Sequence, residues 1–338
     1  MQDVARRAGV SPMTVSRVLH DNPSVSDDNR RKVITAVEEL GYRRNEVARS
    51  LRLGRAPDLV GLLVANLANP FYSAVALGVE STLSDHGIRV MVANTAEQVD
   101  HERKAIADLV SRRIDGIIVL PAGNEHTHLD PVRLETPIIF AASQPSGVDA
   151  DAVLLDDFNG TRLATARLLA AGHRRIGFLG LPPAAWTGAE RFRGFCAAFD
   201  EAGLEFDARY DRRPLRTVAA AEKATMDLLS QVDPPTALFC ANNRLTIGAF
   251  RVLRARDQRV DLVGFDDFEL ADTLGIPLTI VAYDPMEIGR QAARLLLDRL
   301  GRGSDDRDAP PRRLVIPTTI IYYGQAVESH HPPSSEEN

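Results

Sequence analysis

The segment from Asp3 to Leu19, DVARRAGVSPMTVSRVL, fits little other than two short helices crossing at a tight turn. Ala5 offers a small side chain where two helices can approach closely, and Gly9 stands at the turn, where a positive φ is needed. Ser11 is a good N-cap acceptor. Pro12 suits the first helical position, where its missing N–H has no intrahelical partner. The second helix is therefore expected to start at Pro12. On it Val15, Val18 and Leu19 share one face, while Met13, Ser16, Arg17 and His20 share the opposite one. One face packs and the other is free to enter a groove. Thr14 and Ser16 can reach phosphates, and Arg17 can pair bidentately with guanine O6 and N7 in the major groove. A short amphipathic hairpin in an all-helical core would share the apolar stripe, but has no use for a hydroxyl-and-arginine face. The segment reads as a helix-turn-helix.

A third helix is expected from a Ser26 cap, through Asp27 and Asp28 in the favourable first turn, to Leu40, with Gly41 just beyond. Val33, Val37 and Leu40 are its expected buried stripe. Residues 45–55, NEVARSLRLGR, make one or two turns of helix, too short to be stable alone in water. They read as a linker that folds only against a partner.

Charge follows this division. The chain has 338 residues and a formal net charge of −6, yet residues 1–55 carry 11 Lys/Arg against 7 Asp/Glu. A basic head on an acidic body suits a protein that holds DNA through a small module. No opening apolar run and no stretch of eighteen apolar residues is present, so secretion and membrane spanning are not expected, and a cytoplasmic protein is. Cys196 and Cys240 have neither metal-ligand nor redox spacing and read as reduced core residues. The pair His126 and His128 reads as part of a solvated loop rather than a metal site. No nucleophile elbow, P-loop or metal cluster points to an enzyme, and no catalytic residue, cofactor or metal is expected. The adjacent carboxylates Asp156-Asp157 and Asp266-Asp267 point apart on an extended segment, which argues against acid–base pairs.

From Leu59 the pattern changes to alternating strands and helices, the mark of a parallel α/β sheet. Strands are expected at 59–64, 89–93, 116–120, 137–140, 152–155, 175–179, 237–240 and 262–265. Several end abruptly in Asn or Asp: Asn66, Asn94, Asp156 and Asp157, Asn242 and Asn243, Asp266 and Asp267. Any one of these can be a helix N-cap. Together, at the carboxyl ends of strands, they favour a polar ligand cleft. The tail from Glu328 to Asn338 is expected to be disordered.

With both ends read, the chain resembles the LacI/GalR family of bacterial transcriptional regulators. The resemblance rests on DVARRAGVSPMTVSRVL, NEVARSLRLG, VGLLVANLANPFYSAVALGVE, RRIDGIIVLP, GHRRIGFLG, TGAERFRGF, CANNRLTIGAF, LVGFDDFELAD and IPLTIVAYDPMEIGRQA, in that order. It implies an α-helical helix-turn-helix headpiece (1–44), a hinge helix and linker (45–56), an effector-binding core (57–327) and the tail (328–338). The core is an α/β, periplasmic-binding-protein-like pair of lobes, each a doubly wound parallel sheet. The first lobe is expected at about 58–155 and 285–315, the second at about 156–284 and 316–325.

Carried onto this chain, the resemblance implies that Pro12, Met13 and Arg17 read bases and that Ser11, Thr14 and Ser16 hold phosphates. Asn45 joins the DNA-contacting set, and Ala48 supplies the small residue needed where two hinge helices meet. Leu51 is the hinge leucine wedged into the minor groove, one from each subunit of a dimer. In the cleft the resemblance places Phe71 and Tyr72 from the first lobe, and Trp186, Thr187, Arg191, Asn242 and Asp266 from the second, with Asp157 a looser match. Arg216 falls where an aromatic often stacks on the ligand. A forked arginine with Asn and Asp suits sugar hydroxyls; with Arg216 beside Arg191, an acidic or phosphorylated metabolite is the alternative effector. Ala185 replaces the arginine of the purine-responsive member, which argues against a purine. The family's Thr cap before the first helix is missing ahead of Met1, a loss worth roughly 1 kcal/mol, and Arg44 replaces a common hinge proline. No heptad tail follows the core. The implied protein is a homodimeric repressor on a pseudo-palindromic operator, released or tightened by a small molecule, with a transport solute-binding protein as the alternative.

Overall fold

The computed structural model describes residues 1–19, 22–42, 58–303 and 309–324. The expectations for His20, Arg44, Asn45, Ala48, Leu51, the hinge helix and the 328–338 tail lie outside the described residues. The chain divides into two compact units, Met1–Pro57 and Asp58–Asn338.

In the first unit three helices, α1 (Gln2–Ala8), α2 (Pro12–Leu19) and α3 (Asp27–Glu39), enclose a small core of Val4, Ala5, Ala8, Val15, Val18, Val33 and Ala36. Gly9 takes φ 68 at the end of α1, and the Val10 N–H returns to the Ala5 carbonyl at 3.1 Å. That left-handed step turns the chain sharply enough for α2 to cross α1. The Ser11 hydroxyl accepts the Thr14 N–H at 3.1 Å, satisfying an orphan donor of α2. Ser26 caps α3 in the same way, accepting from the Asn29 N–H. The α1 N-cap is Met1, which makes no side-chain cap bond. One expectation fails: Leu40 is exposed, because α3 ends at Glu39 and Leu40 serves as its cap, leaving Ala36 to fill the core beside Val33.

The second unit holds two six-stranded sheets. The chain runs β1 (Leu59–Val64), α4 (Pro70–Ser84), β2 (Arg89–Asn94), α5 (Val99–Ser111), β3 (Gly116–Val119), α6 (Asp130–Arg133), β4 (Ile138–Ala141) and β5 (Asp151–Leu155). It crosses to the second lobe with α7 (Asp157–Ala170), β6 (Ile176–Leu179), α8 (Trp186–Glu201), β7 (Asp211–Arg212), α9 (Val218–Leu229), β8 (Ala237–Cys240), α10 (Asn243–Arg256), β9 (Asp261–Phe265) and β10 (Leu278–Ala282). It then returns through α11 (Pro285–Arg299) and β11 (Arg313–Ile316), and crosses once more to β12 (Thr319–Tyr323).

The first sheet is wholly parallel in the order β11-β5-β4-β3-β1-β2, and the second runs β12-β10-β9-β8-β6-β7 with only β12 antiparallel. Both carry the doubly wound order in which the sequence direction reverses beside the first strand of the lobe. That reversal opens a crevice at the carboxyl ends of the strands. Short strands, buried on both faces and rich in Val, Ile, Leu and Phe, are what a sheet covered by helices on each side requires. Strands 7, 10, 11 and 12 were not among those expected from sequence.

Helices α4 and α11 meet backbone to backbone. A methyl group on Gly78 would strike the Met286 carbonyl, and one on Gly289 the Val75 carbonyl, so both positions need the missing side chain. This contact fixes α4, and with it the residues at its first turn, against the lobe that α11 closes.

Candidate nucleic-acid interface and ligand cavity

On α2 the outward face carries Ser11, Pro12, Met13 and Arg17 exposed, with Thr14 and Ser16 half-buried beside them. Met13 is 63 % exposed, well beyond what a core methionine shows. The Ser11 and Thr14 hydroxyls lie 2.9 Å apart and hydrogen bond to each other. Arg6 and Arg7, on α1, are engaged by Asp3 and Glu39. Arg17 is exposed and has no such carboxylate partner among the described residues.

In the second unit a cavity of about 110 Å³ lies where the carboxyl ends of the two sheets face each other. The first lobe lines it with Asn69, Phe71 and Tyr72 at the start of α4, Leu120 and Pro121 after β3, Ala141–Ser143 after β4, and Leu155. The second lobe contributes Leu181, Ala185, Trp186, Thr187 and Arg191 before and along α8, then Asn242, Asp266 and Tyr283 after β8, β9 and β10. Asn69 holds its wall in place as the α4 N-cap, accepting the Phe71 N–H at 3.2 Å with Pro70 at the first helical position. Asn242 likewise caps α10 through the Leu245 N–H at 2.9 Å. Capping and cavity-lining are thus not alternatives at Asn242: one oxygen serves the helix while the rest of the amide faces the cavity.

Arg191 organises the polar floor. It is 4 % exposed, and its Nε donates to Asp157 Oδ1 at 2.7 Å. Its two terminal nitrogens lie 3.2 Å from Asp266 Oδ1 and 2.5 Å from the Ala241 carbonyl. The guanidinium also lies over the Phe265 ring, 3.6 Å from its centre. Asp266 reaches it through a left-handed backbone at φ 67, a conformation that Asp tolerates better than most residues, and accepts the Tyr283 hydroxyl at 2.9 Å. Burial works against the charged guanidinium, but Asp266 and Asp157 outweigh it and hold Arg191 firmly protonated. Burial pushes the Asp157 carboxyl up to about 7 against the pull of Arg191. Tyr72 is pushed up to about 12 by burial and then by Asp266, and Tyr283 is raised well above the ordinary tyrosine value for the same two reasons, so both phenols stay protonated. One cation faces two carboxylates, and the cluster has no surplus positive charge.

Seven of the nine expected cleft residues, Phe71, Tyr72, Trp186, Thr187, Arg191, Asn242 and Asp266, surround this one cavity. Two do not. Asp157 lies beneath the floor, 1 % exposed, as the support of Arg191. Arg216 is not among the lining residues and pairs with Glu97 of the first lobe, which occupies the second cation that an acidic effector would need. Asn69, Ser143 and Tyr283 are lining residues that sequence reasoning passed over. The Asn-Pro pair at 69–70 repeats the Ser-Pro signal at 11–12 and is the one usable clue among them.

Three strand-end residues not in the cavity, Asn66, Asn94 and Asp267, are structural staples. Asn94 accepts the Leu67 N–H, Asn66 the Ala68 N–H, and Asp267 the Phe268 N–H and the Tyr323 hydroxyl. The neighbours Asp156 and Asp157 do point apart, one capping α7 and the other reaching Arg191.

His126 and His128 are not solvated. His128 is paired at 2.8 Å with Glu102, itself fully buried and accepting the Ala122 N–H at 2.6 Å. His126 packs against Phe140 with 5.0 Å between ring centres and accepts the Ser146 N–H. Burial lowers it to about 4. Among the described residues no helix is long and apolar enough to cross a membrane.

Comparison with known proteins locates both regions. Residues 1–45 match the model of bacterial regulatory proteins of the lacI family, and residues 57–326 that of periplasmic binding proteins and the sugar-binding domain of the LacI family. The HTH-type transcriptional regulator CelR of Thermobifida fusca is 33 % identical over 338 residues, covering 95 % of this chain and 96 % of the relative. The structure of a CelR–cellobiose complex aligns with TM-score 0.71 at 31 % identity, over 96 % of this chain and 99 % of that one. The lac repressor dimer bound to operator and the anti-inducer ONPF aligns with TM-score 0.81 at 25 % identity, over 94 % and 96 % of the two chains.

Proposed function

This chain belongs to the LacI family of bacterial regulatory proteins, and on that premise we propose that its cavity takes a neutral, monosaccharide-sized polyol whose binding alters operator affinity. It is a DNA-binding regulator under effector control and not an enzyme. The headpiece, matching over residues 1–45, sets it apart from a transport solute-binding protein.

The observation that carries the proposal is the charge balance at Arg191. A sugar hydroxyl donates and accepts at once, and Asp266, Arg191 and Asn242 offer both partners within one small space. A phosphate or carboxylate would bring a further negative charge to a floor whose one guanidinium is already engaged by Asp266 and Asp157. Trp186 and Phe71 supply apolar surface for the C–H faces of a ring. Pockets for drug-sized ligands span roughly 300–1,000 Å³, so the 110 Å³ here suits a single ring with the lobes as they stand. The CelR structure holds cellobiose, and a disaccharide in this chain would need the lobes further apart.

On the head, Arg17, Pro12 and Met13 read bases while Ser11, Thr14 and Ser16 hold phosphates. Asn45, Ala48 and Leu51 complete the DNA set by resemblance, Leu51 as the minor-groove wedge. The protein works as a homodimer in the cytoplasm, on an operator whose half-sites mirror its two-fold symmetry.

The test is a thermal-shift screen of neutral pentoses and hexoses beside their acids and phosphates, followed by operator binding with each hit. A neutral monosaccharide that raises Tm and changes operator affinity is the expected result; a response confined to anionic sugars overturns it. On the DNA side, Arg17→Ala loses discrimination at one base pair by roughly 1–3 kcal/mol. A uniform loss over all operator variants would reassign Arg17 to phosphate.

A further inference from the structure

The lobes are joined along one edge and face each other freely along the other. All three crossovers, after β5, after β10 and between β11 and β12, leave from strands on the same side of their sheets. The opposite margins are β2 in the first sheet and β7 in the second. In each sheet four strand spacings separate the crossover strand from that far margin, roughly 20 Å. Rotation about the crossovers moves the far margins most.

At those two margins the chain places a charge pair. Glu97 follows β2 and Arg216 follows β7, and the two side chains form an ion pair from lobe to lobe. Both sit on fixed backbone. Ala96 and Glu97 are consecutive non-glycine residues in the left-handed region, at φ 52 and 60, a conformation that persists only where neighbours enforce it. The Thr95 and Glu97 N–H groups are bonded to the Val64 and Ala65 carbonyls at 2.9 and 3.1 Å. On the other side the Leu215 N–H is bonded to the Gly180 carbonyl, and Thr217 caps α9. Further in, the Asn243 amide donates to Asn69 Oδ1 at 3.2 Å, a second bond from lobe to lobe. That inner contact is buried and neutral; the outer one is charged and partly exposed.

We propose that Glu97 and Arg216 form an electrostatic clasp that holds the lobes closed at the point of greatest leverage. The clasp sets the closed-to-open ratio that an effector must shift, and its relevance to regulation rests on the reading of the cavity as the effector site. Its existence does not, and it is tested without any sugar.

Spin labels at Asp100→Cys on α5 and Lys223→Cys on α9, both exposed positions, report the lobe separation when Cys196 is replaced by Ala. Labelled protein is diluted with unlabelled chain so that only distances within one chain are read. Glu97→Gln and Arg216→Gln each shift the closed-to-open ratio about two- to fivefold toward longer distances, the size of an exposed ion pair. The reversed pair, Glu97→Arg with Arg216→Glu, restores the short distance and shows that charge pairing rather than misfolding is read. Salt at roughly 1 M, where the Debye length is about 3 Å, opens the parent protein and leaves the single variants unchanged. Single variants with the parent's distance distribution, or a reversed pair no more closed than either single variant, overturn the clasp.

Discussion

The two lobes share a strand order and differ in what they do with buried charge. In the first lobe the buried carboxylates, Glu102 and Asp151, fix structure: Glu102 pairs with His128 and pins the Ala122 backbone, and Asp151 is held by Arg299. The first-lobe wall of the cavity is uncharged, setting Phe71, Leu120, Pro121 and Ala141 beside Asn69, Tyr72 and Ser143. In the second lobe the buried charges, Arg191 and Asp266, are themselves the wall, with Asp157 behind them. Their cores differ as well: the second lobe interleaves Phe178, Phe192, Phe195, Phe199 and Phe206 in edge-to-face and tilted contacts, whereas the first is packed mainly by Val, Leu and Ile. A rigid aromatic base suits a lobe that must hold a charged constellation in fixed geometry, and an uncharged partner suffices to close over it.

The largest expected break in this contrast comes from Arg191→Met. It leaves Asp157 and Asp266 facing one another without a cation and costs about 3–5 kcal/mol in urea unfolding, with loss of any sugar-induced stabilisation. A cost below about 1 kcal/mol, within the range of ordinary surface substitutions, would show that the floor does not depend on its arginine.

Acid separates the lobes next. Below the ordinary histidine value of 6.5 the unfolded chain takes up a proton at His126 that the folded chain refuses until about 4. Stability is therefore lost as pH falls through that window, by up to about 3 kcal/mol, and His126→Gln flattens the loss. Asp157 has the opposite sign. Its folded carboxyl holds a proton up to about 7, against an ordinary value of 3.8, so its contribution is lost as pH rises between the two. Denaturation midpoints across that range, compared between His126→Gln and the parent, check the first-lobe half of the contrast.

The smallest effect is expected from Asp157→Asn. Arg191 keeps Asp266, the cluster becomes a neutral pair, and stability at neutral pH changes by no more than about 1 kcal/mol. A penalty as large as that of Arg191→Met would make Asp157 an equal partner rather than a support.

Much of this architecture is local and therefore legible in the chain. Gly9, Ser11-Pro12 and Ser26 act on their immediate neighbours, and the structure places each of those turns and caps where short-range stereochemistry demands. The strands 59–64 and 237–240 coincide with their apolar runs to the residue. What the sequence does not reveal depends on distant partners. β11 and β12 lie at sheet edges with half-exposed patterns, so hydrophobicity alone does not mark them. Leu40 looks like the next member of a helical stripe, and only the packing of α3 on α1 and α2 shows that the stripe ends at Val37. The burial of His128 follows from Glu102, 26 positions away. The orientation of Arg216 follows from Glu97 on the other lobe, a carboxylate that nothing near residue 216 announces.

The three crossovers have a consequence for how the protein is made. The second lobe is an insertion between the early strands of the first and its last helix and strand, and each sheet receives a terminal member, β11 or β12, only after residue 312. A chain emerging from the ribosome therefore carries two unfinished sheets with open edges until residues 313–323 have been made. A chain cut before residue 313 has not lost a piece of one lobe; it has left both unfinished at once.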